Sequence, residues 1–578
     1  MTSEANTQQV VFTNDARCRD CYRCVRVCPV KAIKVEKDQA CVDPERCIAC
    51  GTCIRECPQG AKTYRRDLDK AEAILKGGTL VAASIAPSFA GVFEAWECAR
   101  LPAALRRLGF KHVAETAVGA YLVARDTTPM IKAASKPVIC TACPSVVHYI
   151  EKYDPARAGY LLPLVSPMMA HARHIKKLKG LDTKVIFIGP CAAKKAEAER
   201  RELKGLVDCV LTFEELEELF RLRGIDLKSC EESSFDEEPC GKARLFPIEG
   251  GALATSDMAT DVIDEKLIFV SGFEEVKEVL RAVDGNDKPR VIEPLLCPHG
   301  CVNGPGIKKE GNAFDRRARL IKYAVFHPSL STAEPSVLDL STYFSVKPVN
   351  AMIEGVEEKI RQVLEKTGKS RLEHQLNCGA CGYSSCREQA LAVIRGMAEA
   401  EMCIPYMRRL AEQRSDRIME TSPNGIVVLD HELKILNFNP AFGKMFKASP
   451  SAAGRHISQF MDPDPFEKVA SGECALYDDV RSHTAYGLVA REVVYALQTE
   501  RQYVGMFINM TAQGVAFEQL QHVKDETIQQ ARELHAHQIE MAKQLASFLG
   551  SYTAKGEQLV QKLVEAVKDK KIDENRGG

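Results

Sequence analysis

The chain has 578 residues, and its 78 lysines and arginines balance 78 acidic residues, so its formal net charge is zero. The length allows about four domains, and a neutral chain lacks the basic surplus that binds nucleic acids and anionic membranes. No stretch approaches the roughly 20 apolar residues of a membrane helix, and the polar start MTSEANTQQ is unlike a signal peptide. We therefore expect a cytoplasmic protein with no nucleic-acid or membrane partner.

The chain contains 23 cysteines, which in a cytoplasmic protein are reduced and available as metal ligands. Near the N-terminus the pattern C-x2-C-x2-C-x3-C-P occurs twice, as in bacterial two-cluster ferredoxins, where the fourth cysteine of each run binds the other cluster. A zinc ribbon would need two C-x2-C pairs instead of two runs of four. We expect a ferredoxin domain over residues 1–70. Its two 4Fe-4S clusters are held by Cys18, Cys21, Cys24 and Cys57, and by Cys47, Cys50, Cys53 and Cys28.

From residue 71 to 366, apolar runs such as TLVAASIA and TKVIFIGP alternate with amphipathic segments. This alternation predicts an α/β domain, in which sites lie at strand ends. The predicted strand ends carry Cys143, Cys191, Cys297 and Cys301, each beside glycine or proline residues that let a bulky ligand approach the backbone.

The segments around these cysteines, TACPSVV, GPCAAKKAE and LLCPHGCVNGPG, resemble in order the three signature motifs of the FeFe hydrogenase catalytic domain. The resemblance implies an H-cluster, in which the four cysteines hold a 4Fe-4S cubane. Cys301 would bridge the cubane to a two-iron unit with carbon monoxide, cyanide and azadithiolate ligands. It also implies that Lys194 donates to a cyanide ligand, that Glu197 completes the motif, and that Ala86, Pro87 and Ser88 line the rest of the site.

Several positions depart from the family pattern. Ala142 occupies the position of the proton-relaying cysteine, and a methyl group cannot carry a proton. The expected carboxylates of the path are reduced to Asp126, and Gly189 and Leu295 replace two methionines. His299 is a further candidate for contacting the cluster or passing protons, whereas Cys140 is assigned to packing. These departures predict slow turnover.

Residues 367–412 contain Cys378, Cys381, Cys386 and Cys403 in a pattern that resembles the small iron-sulfur domain of corrinoid iron-sulfur proteins. One further 4Fe-4S cluster is expected there, with zinc as the alternative. Residues 413–513 resemble a PAS domain: a lead-in helix, a strand ending at Leu429, a second strand and an Asn-Pro-Ala-Phe helix. That domain is either a cofactor-bearing sensor or a docking and dimerisation module. The tail, 514–578, has the apolar spacing of a coiled coil or a helix pair.

The whole pattern resembles the sensory subgroup of FeFe hydrogenases, a multidomain α/β and α+β architecture. The expected function is slow, reversible splitting of hydrogen into protons and electrons, with a soluble carrier such as ferredoxin. Its signal would pass through the PAS domain of a homodimer to a separate output protein, a kinase or phosphatase. A metabolic hydrogenase is disfavoured by Ala142. The alternative is a cubane-only electron-transfer or cluster-assembly protein, and the intact Lys194 motif argues against it.

Overall fold

The computed structural model describes residues 9–37, 39–237, 242–256, 266–283, 290–326, 338–349, 353–497, 499 and 501–511. The chain forms two compact units, Met1–Ala400 and Glu401–Gly578. The predicted helical tail, 514–578, lies outside the described residues.

The N-terminal module repeats one small motif twice. Each of its two short helices contains the third cysteine of a run and ends directly before the fourth, so the sequence repeat is also a structural repeat. Two antiparallel strand pairs, β1 with β4 and β2 with β3, complete the module. Its elements are β1 (Val11–Thr13), α1 (Arg23–Val27), β2 (Ile33–Glu36), β3 (Gln39–Val42), α2 (Thr52–Glu56) and β4 (Lys62–Tyr64).

The central domain is built on two parallel sheets. One has the strand order β6-β5-β8-β9 and the other the order β10-β11-β7. Because helices cover such sheets, their strands are apolar throughout, and all five residues of β5, the sequence VAASI, are buried. The strands are β5 (Val81–Ile85), β6 (His112–Glu115), β7 (Val138–Ile139), β8 (Lys184–Gly189), β9 (Cys209–Thr212), β10 (Leu267–Ser271) and β11 (Val291–Leu295).

The helices of this domain follow the strands, as the alternating pattern predicts. The α8 helix packs along α6, and its core-facing Met168, Met169 and Ile175 are fully buried. The helices are α3 (Leu68–Lys76), α4 (Phe89–Val92), α5 (Ala95–Leu108), α6 (Ala117–Ala133), α7 (Pro144–Tyr153), α8 (Pro167–Lys179), α9 (Ala193–Ala198), α10 (Phe213–Leu222), α11 (Gly251–Thr255), α12 (Phe273–Ala282) and α13 (Ala313–Phe326).

A buried ionic network joins the end of the N-terminal module to the central domain. The ammonium of Lys195, whose side chain is fully buried, lies 2.9 Å from Asp67 Oδ2 and 2.9 Å from Glu215 Oε2. It also donates to the carbonyl of Val210 at 2.7 Å. One cation therefore neutralises two carboxylates from segments far apart in the chain.

The third cysteine-rich module contributes two helices, α14 (Val356–Lys366) and α15 (Cys386–Ile394), to the first unit. The α14 helix is amphipathic, and its Ile360 and Leu364 pack with Ala390 of α15. The cysteine-bearing loop before α15 is held by this small core.

The second unit is a five-stranded antiparallel sheet with the order β13-β12-β16-β15-β14. Four fully buried phenylalanine rings, Phe442, Phe446, Phe466 and Phe507, occupy its core. Asn439 explains the Asn-Pro-Ala-Phe motif, because its side-chain oxygen accepts from the N–H groups of Phe442 and Ile426. The elements are α16 (Ile404–Thr421), β12 (Gly425–Leu429), β13 (Ile435–Phe438), α17 (Pro440–Met445), α18 (Asp464–Ala470), β14 (Leu476–His483), β15 (Leu488–Leu497) and β16 (Gln502–Asn509).

Among the described residues, no helix has both the length and the apolar character needed to cross a bilayer.

Replacing Lys195 by methionine should destabilise the first unit, because Glu215 would be left buried without a paired cation and Asp67 would keep only Arg65, at 3.0 Å. Loss of one partner of a buried charge cluster costs about 3–5 kcal/mol, which corresponds to a fall of roughly 5–10 °C in melting temperature. Thermal unfolding followed by circular dichroism would measure the fall in melting temperature. The matched control is Lys76→Met on an exposed helical surface, and an equal shift in both variants would contradict the assigned role of the network.

Candidate functional site

The four motif cysteines of the central domain lie just beyond the carboxyl ends of parallel strands. Cys143 follows β7 and precedes α7, Cys191 follows β8, and Cys297 and Cys301 follow β11. The carboxyl ends of parallel strands are where α/β folds bind ligands. These strands belong to two sheets, β7 and β11 to one and β8 to the other. The Gly306 N–H donates to the Pro190 carbonyl at 2.8 Å, so the loops after β8 and β11 meet.

These four thiols lie close enough to perturb one another. Burial and, after it, the neighbouring Cys143 raise the pKa of Cys191 to about 11. Burial, followed by Cys191, Cys301 and Cys143, raises the pKa of Cys297 well above its usual value. Such a set of mutually close sulfur donors suits a 4Fe-4S cluster, which is held by four thiolates.

Lys194 lies on α9 beside these cysteines, and only 9% of it is exposed. Its ammonium donates to Glu197 Oε2 at 2.7 Å and to the Ala142 carbonyl at 3.2 Å. Its positive charge lowers the pKa of the Cys191 and Cys301 thiols, against the larger effect of burial. Lys194 therefore has protein partners of its own, and Glu197 is one of them.

The segment Ala86, Pro87 and Ser88 follows β5 at the same edge of the sheet. The Ala86 N–H donates to the Ile188 carbonyl at 2.8 Å, which ties the segment to the strand that leads to Cys191. Ser88 is fully buried, and in the described part of the chain its hydroxyl has no hydrogen-bond partner. A buried hydroxyl without a hydrogen-bond partner destabilises the fold unless a ligand accepts a hydrogen bond from it.

Ala142 packs against apolar side chains, among them Ala117, Ala120 and Phe246. Asp126, the carboxylate expected to remain near the path, pairs with Arg125 Nε at 2.9 Å. The surroundings of Ala142 are therefore those of a packed apolar position.

The eight cysteines of the N-terminal module separate into two neighbouring groups. Besides burial, the pKa of Cys24 is raised by the nearby Cys21, Cys18 and Cys57. The pKa of Cys53 is raised in the same way by Cys50, Cys28 and Cys47, and more weakly by Cys24. The groups match the two predicted ligand sets, whose assignment to clusters stays a prediction.

The N-terminal module contacts the central site through its second cysteine run. Arg55 Nη1 donates to the Asn303 carbonyl at 2.6 Å, in the loop that follows Cys301. Gly51 has a φ of +74°, and a Cβ there would lie 2.4 Å from Pro305, so only glycine allows this approach. The Arg55 charge lowers the pKa of both Cys50 and Cys297, against the larger effect of burial. The Arg55 guanidinium thus lowers thiol pKa values in two cysteine groups.

The third cysteine-rich loop packs on the other side of the N-terminal module. Lys31 Nζ donates to the Gly382 carbonyl at 2.8 Å, and Arg26 Nη1 donates to the Ala380 carbonyl at 3.3 Å. Cys378 is exposed and Cys381 and Cys386 are partly buried. Cys403, the fourth predicted ligand, is buried at the start of α16 in the second unit, so the complete set of four stays a prediction.

The structure shows the surroundings of His299 and of Cys140, two residues that the sequence singled out. The backbone N–H of His299 donates to Ser271 Oγ at 3.0 Å, and its exposed ring packs on Phe314 with ring centres 4.8 Å apart. Cys140 is buried in an apolar cluster, as its packing role predicts.

Glu293 is a buried carboxylate that sequence reasoning missed. Its oxygens accept from the backbone N–H groups of Ala252 and Leu253 at 3.2 and 3.1 Å. Burial raises the pKa of Glu293 to about 7, although those hydrogen bonds oppose the shift. The sequence does mark this residue, because the glutamate is the one charged residue of the apolar segment VIEPLL.

Comparison with known families identifies the parts of the chain. Residues 79–305 match the C-terminal domain of the iron-only hydrogenase large subunit, and residues 17–61 match a 4Fe-4S dicluster domain. Residues 375–405 match an Fe-S cluster family, and residues 413–473 match the PAS fold. The chain carries an iron-only-hydrogenase-like domain. The predicted fold class is confirmed, whereas the predicted domain boundaries stay predictions.

Individual relatives are of two kinds. The NADP-reducing hydrogenase subunit HndD of Solidesulfovibrio fructosivorans is 28% identical over 50% of this chain and 56% of its own length. The cytosolic Fe-S cluster assembly factor oxy-4 of Caenorhabditis elegans is 26% identical over 42% of this chain and 64% of its own length. The chain thus spans less than two thirds of either relative. Assembly factors from Eremothecium gossypii and Danio rerio also match.

Among solved structures, a FeFe-hydrogenase HydA1 variant from Chlamydomonas reinhardtii is 18% identical, with a TM-score of 0.38. The match covers 49% of this chain and 100% of that one.

The prediction of a slow hydrogenase that senses hydrogen is wrong. The recurrent relatives are iron-sulfur cluster assembly factors, and they favour the alternative of a hydrogenase-like protein without the two-iron unit. The physical error lies in treating a cyanide ligand as the only purpose of Lys194. Two of its three N–H donors already bind Glu197 and the Ala142 carbonyl.

Glu293→Gln should change the pH dependence of stability. Because the pKa is raised from 4.5 to about 7 in the folded chain, the protonated carboxyl contributes stability that is complete below the ordinary pKa. That contribution is lost as the pH rises toward 7, by up to roughly 3 kcal/mol. Between pH 5 and 8 the wild-type melting temperature should therefore fall relative to that of Glu293→Gln.

The control for this measurement is Glu278→Gln, which removes an exposed carboxylate. Parallel profiles of wild type and Glu293→Gln across this pH range would show that the buried carboxyl does not carry a proton.

Proposed function

We propose that this chain is a cubane-only iron-sulfur protein that works in electron transfer or cluster assembly, without a two-iron unit. The observation that carries the proposal is the recurrence of iron-sulfur cluster assembly factors among the relatives. The pairing of Lys194 with Glu197 and the Ala142 carbonyl is compatible with it. Their names place those proteins in the cytosol, and we propose the same compartment for this chain.

The residues that would hold the central cluster are Cys143, Cys191, Cys297 and Cys301. When bound, such a cluster supplies one-electron chemistry. The chain itself supplies charge, because four thiolates in a buried place are unfavourable without cations. Lys194 lowers the pKa of Cys191 and Cys301. Arg55 lowers the pKa of Cys297 in the same group and of Cys50 in the N-terminal module.

The N-terminal module would exchange electrons with a soluble carrier such as ferredoxin. Arg55 and Gly51 hold its second cysteine run against the loop after Cys301. The PAS domain would serve as a docking and dimerisation module for a separate protein.

A two-iron unit bound at Cys301 is the second candidate for this site, and one observation favours it. Ser88 presents a fully buried hydroxyl without a partner among the described residues, and a polar ligand would satisfy it. Infrared spectroscopy distinguishes the two candidates, because carbon monoxide and cyanide ligands give bands that a cubane lacks.

Protein reconstituted with iron and sulfide should contain about 16 iron atoms per chain, four for each of four clusters. Incubation with a synthetic two-iron unit should add no carbon monoxide or cyanide bands. Cys191→Ser should lower the iron content to about 12 atoms per chain, since a cluster needs its four thiolates. Cys98→Ala removes a buried thiol outside the four groups and should leave the iron content unchanged. Bands that shift under hydrogen would refute the cubane-only proposal.

Ala142→Cys provides an independent check. It places a thiol at the position of the missing proton relay, so a protein that already held a two-iron unit should gain hydrogen turnover. For a cubane-only protein we expect hydrogen evolution from a reduced dye to stay at background. Turnover above that of Ala142→Ser, which matches the cysteine in size, would contradict the proposal.

A further inference from the structure

A cleft of about 1150 Å³ opens in the first unit, where the N-terminal module, the central domain and the third cysteine-rich module meet. The four central cysteines do not line it, whereas Cys28, a predicted ligand of a ferredoxin cluster, does. Its walls differ in chemistry.

One wall is cationic. It includes Arg26, Lys31 and Arg55, whose charged groups donate to backbone carbonyls, together with Arg46 and Arg395. Among the described residues none of these five cations forms an ion pair within 4.0 Å, although Glu388 and Glu274 of the same cleft act on the charge of Lys31. The wall therefore carries several cations without a paired carboxylate.

Arg46, Arg395 and Tyr383 form the centre of this wall. Burial and the charge of Arg46 lower the pKa of Arg395, so the two guanidinium groups lie within electrostatic range of each other. The Nε of Arg46 is buried without a hydrogen-bond partner in the described chain. Tyr383 is only 4% exposed, and its hydroxyl also lacks a partner there. Two neighbouring cations and an unused hydroxyl donor favour an anion with several oxygens.

Four carboxylates also line the cleft, those of Glu249, Glu274, Glu275 and Glu388. Glu388 accepts from Ser384, Glu274 lies 3.8 Å from Lys277, and Glu249 accepts from Ser271. Among the described residues none of the four forms an ion pair with Arg46 or Arg395, so these two guanidinium groups can bind a ligand.

Another part of the lining is aromatic. Tyr149 and Tyr153 stack with ring centres 5.9 Å apart and an interplanar angle of 17°. Phe273 meets Tyr149 edge-on at 5.2 Å. The Tyr153 hydroxyl donates to the Arg46 carbonyl at 2.7 Å, so the aromatic and cationic walls adjoin. Aromatic faces of this kind stack on flat ring systems.

We propose that this cleft binds a nucleotide, with its phosphate on Arg46, Arg395 and Tyr383 and its base against Tyr149, Tyr153 and Phe273. A phosphate alone would leave the aromatic wall unused, and a free base would leave the arginines uncompensated. The ligand therefore combines both groups in one molecule. This site is independent of which cofactor the central cysteines hold.

Isothermal titration calorimetry of the cluster-loaded full chain with adenosine monophosphate tests the proposal. One equivalent should bind at least about tenfold more tightly than inorganic phosphate or adenosine does. Arg395→Gln should weaken binding by about 10- to 100-fold, as expected for loss of a charged hydrogen bond. Tyr383→Phe, which keeps the ring, should weaken it by about 3- to 10-fold.

Arg371→Gln is the matched control, because Arg371 is an exposed arginine of the same module outside the cleft. Unchanged cluster absorption and melting temperature in each variant would show that the fold is kept. The proposal is overturned if no heat is seen up to about 5 mM, the weak end of specific affinity. It is also overturned if phosphate alone binds as tightly as the nucleotide. A change in cluster absorption without any change in nucleotide affinity in Arg395→Gln would show that the cations serve the clusters only.

Discussion

Crowding of ionisable thiols in buried places is the constraint on which the first unit depends. Three groups of cysteines are brought together, and in each group burial and neighbouring sulfur atoms raise the pKa of the thiols. Binding a cluster needs thiolates, so the fold must place cations nearby to offset their charge. Lys194 and Arg55 do this for the central group, and Arg55 reaches it from a different module. The contact between the modules is thus an electrostatic requirement as well as a packing contact.

Much of the architecture could be predicted because the cysteine spacing restricts the path of the backbone. A run of four cysteines with two- and three-residue gaps allows few backbone paths, and the helices around Cys24 and Cys53 follow the repeat. Strand ends were predictable from apolar runs for the same reason. Contacts between modules were not predictable, because Arg55 and Asn303 are 248 residues apart and nothing local marks either of them. Glu293 lay between these cases. The sequence shows a charged residue in an apolar strand, but it does not show that the Ala252 and Leu253 N–H groups bind it.

The functional prediction failed where a motif was equated with one activity. In the segment with Cys191, the Lys194 ammonium forms a buried ion pair with Glu197 and donates to a backbone carbonyl. Such a segment serves a protein that holds a cubane just as well as one that holds a larger cofactor. Function therefore has to be argued from what each side chain contacts, and Ser88 is the residue in this site whose contact is still open.

The attachment of the third module has a consequence for biosynthesis. Lys31 binds a carbonyl that lies 351 residues later in the chain. At typical ribosomal rates the N-terminal module therefore waits about 20 to 70 s before that partner has been made. During this interval Lys31 lacks its later partner, the Gly382 carbonyl. The order of translation thus delays the packing of the third module on the N-terminal module.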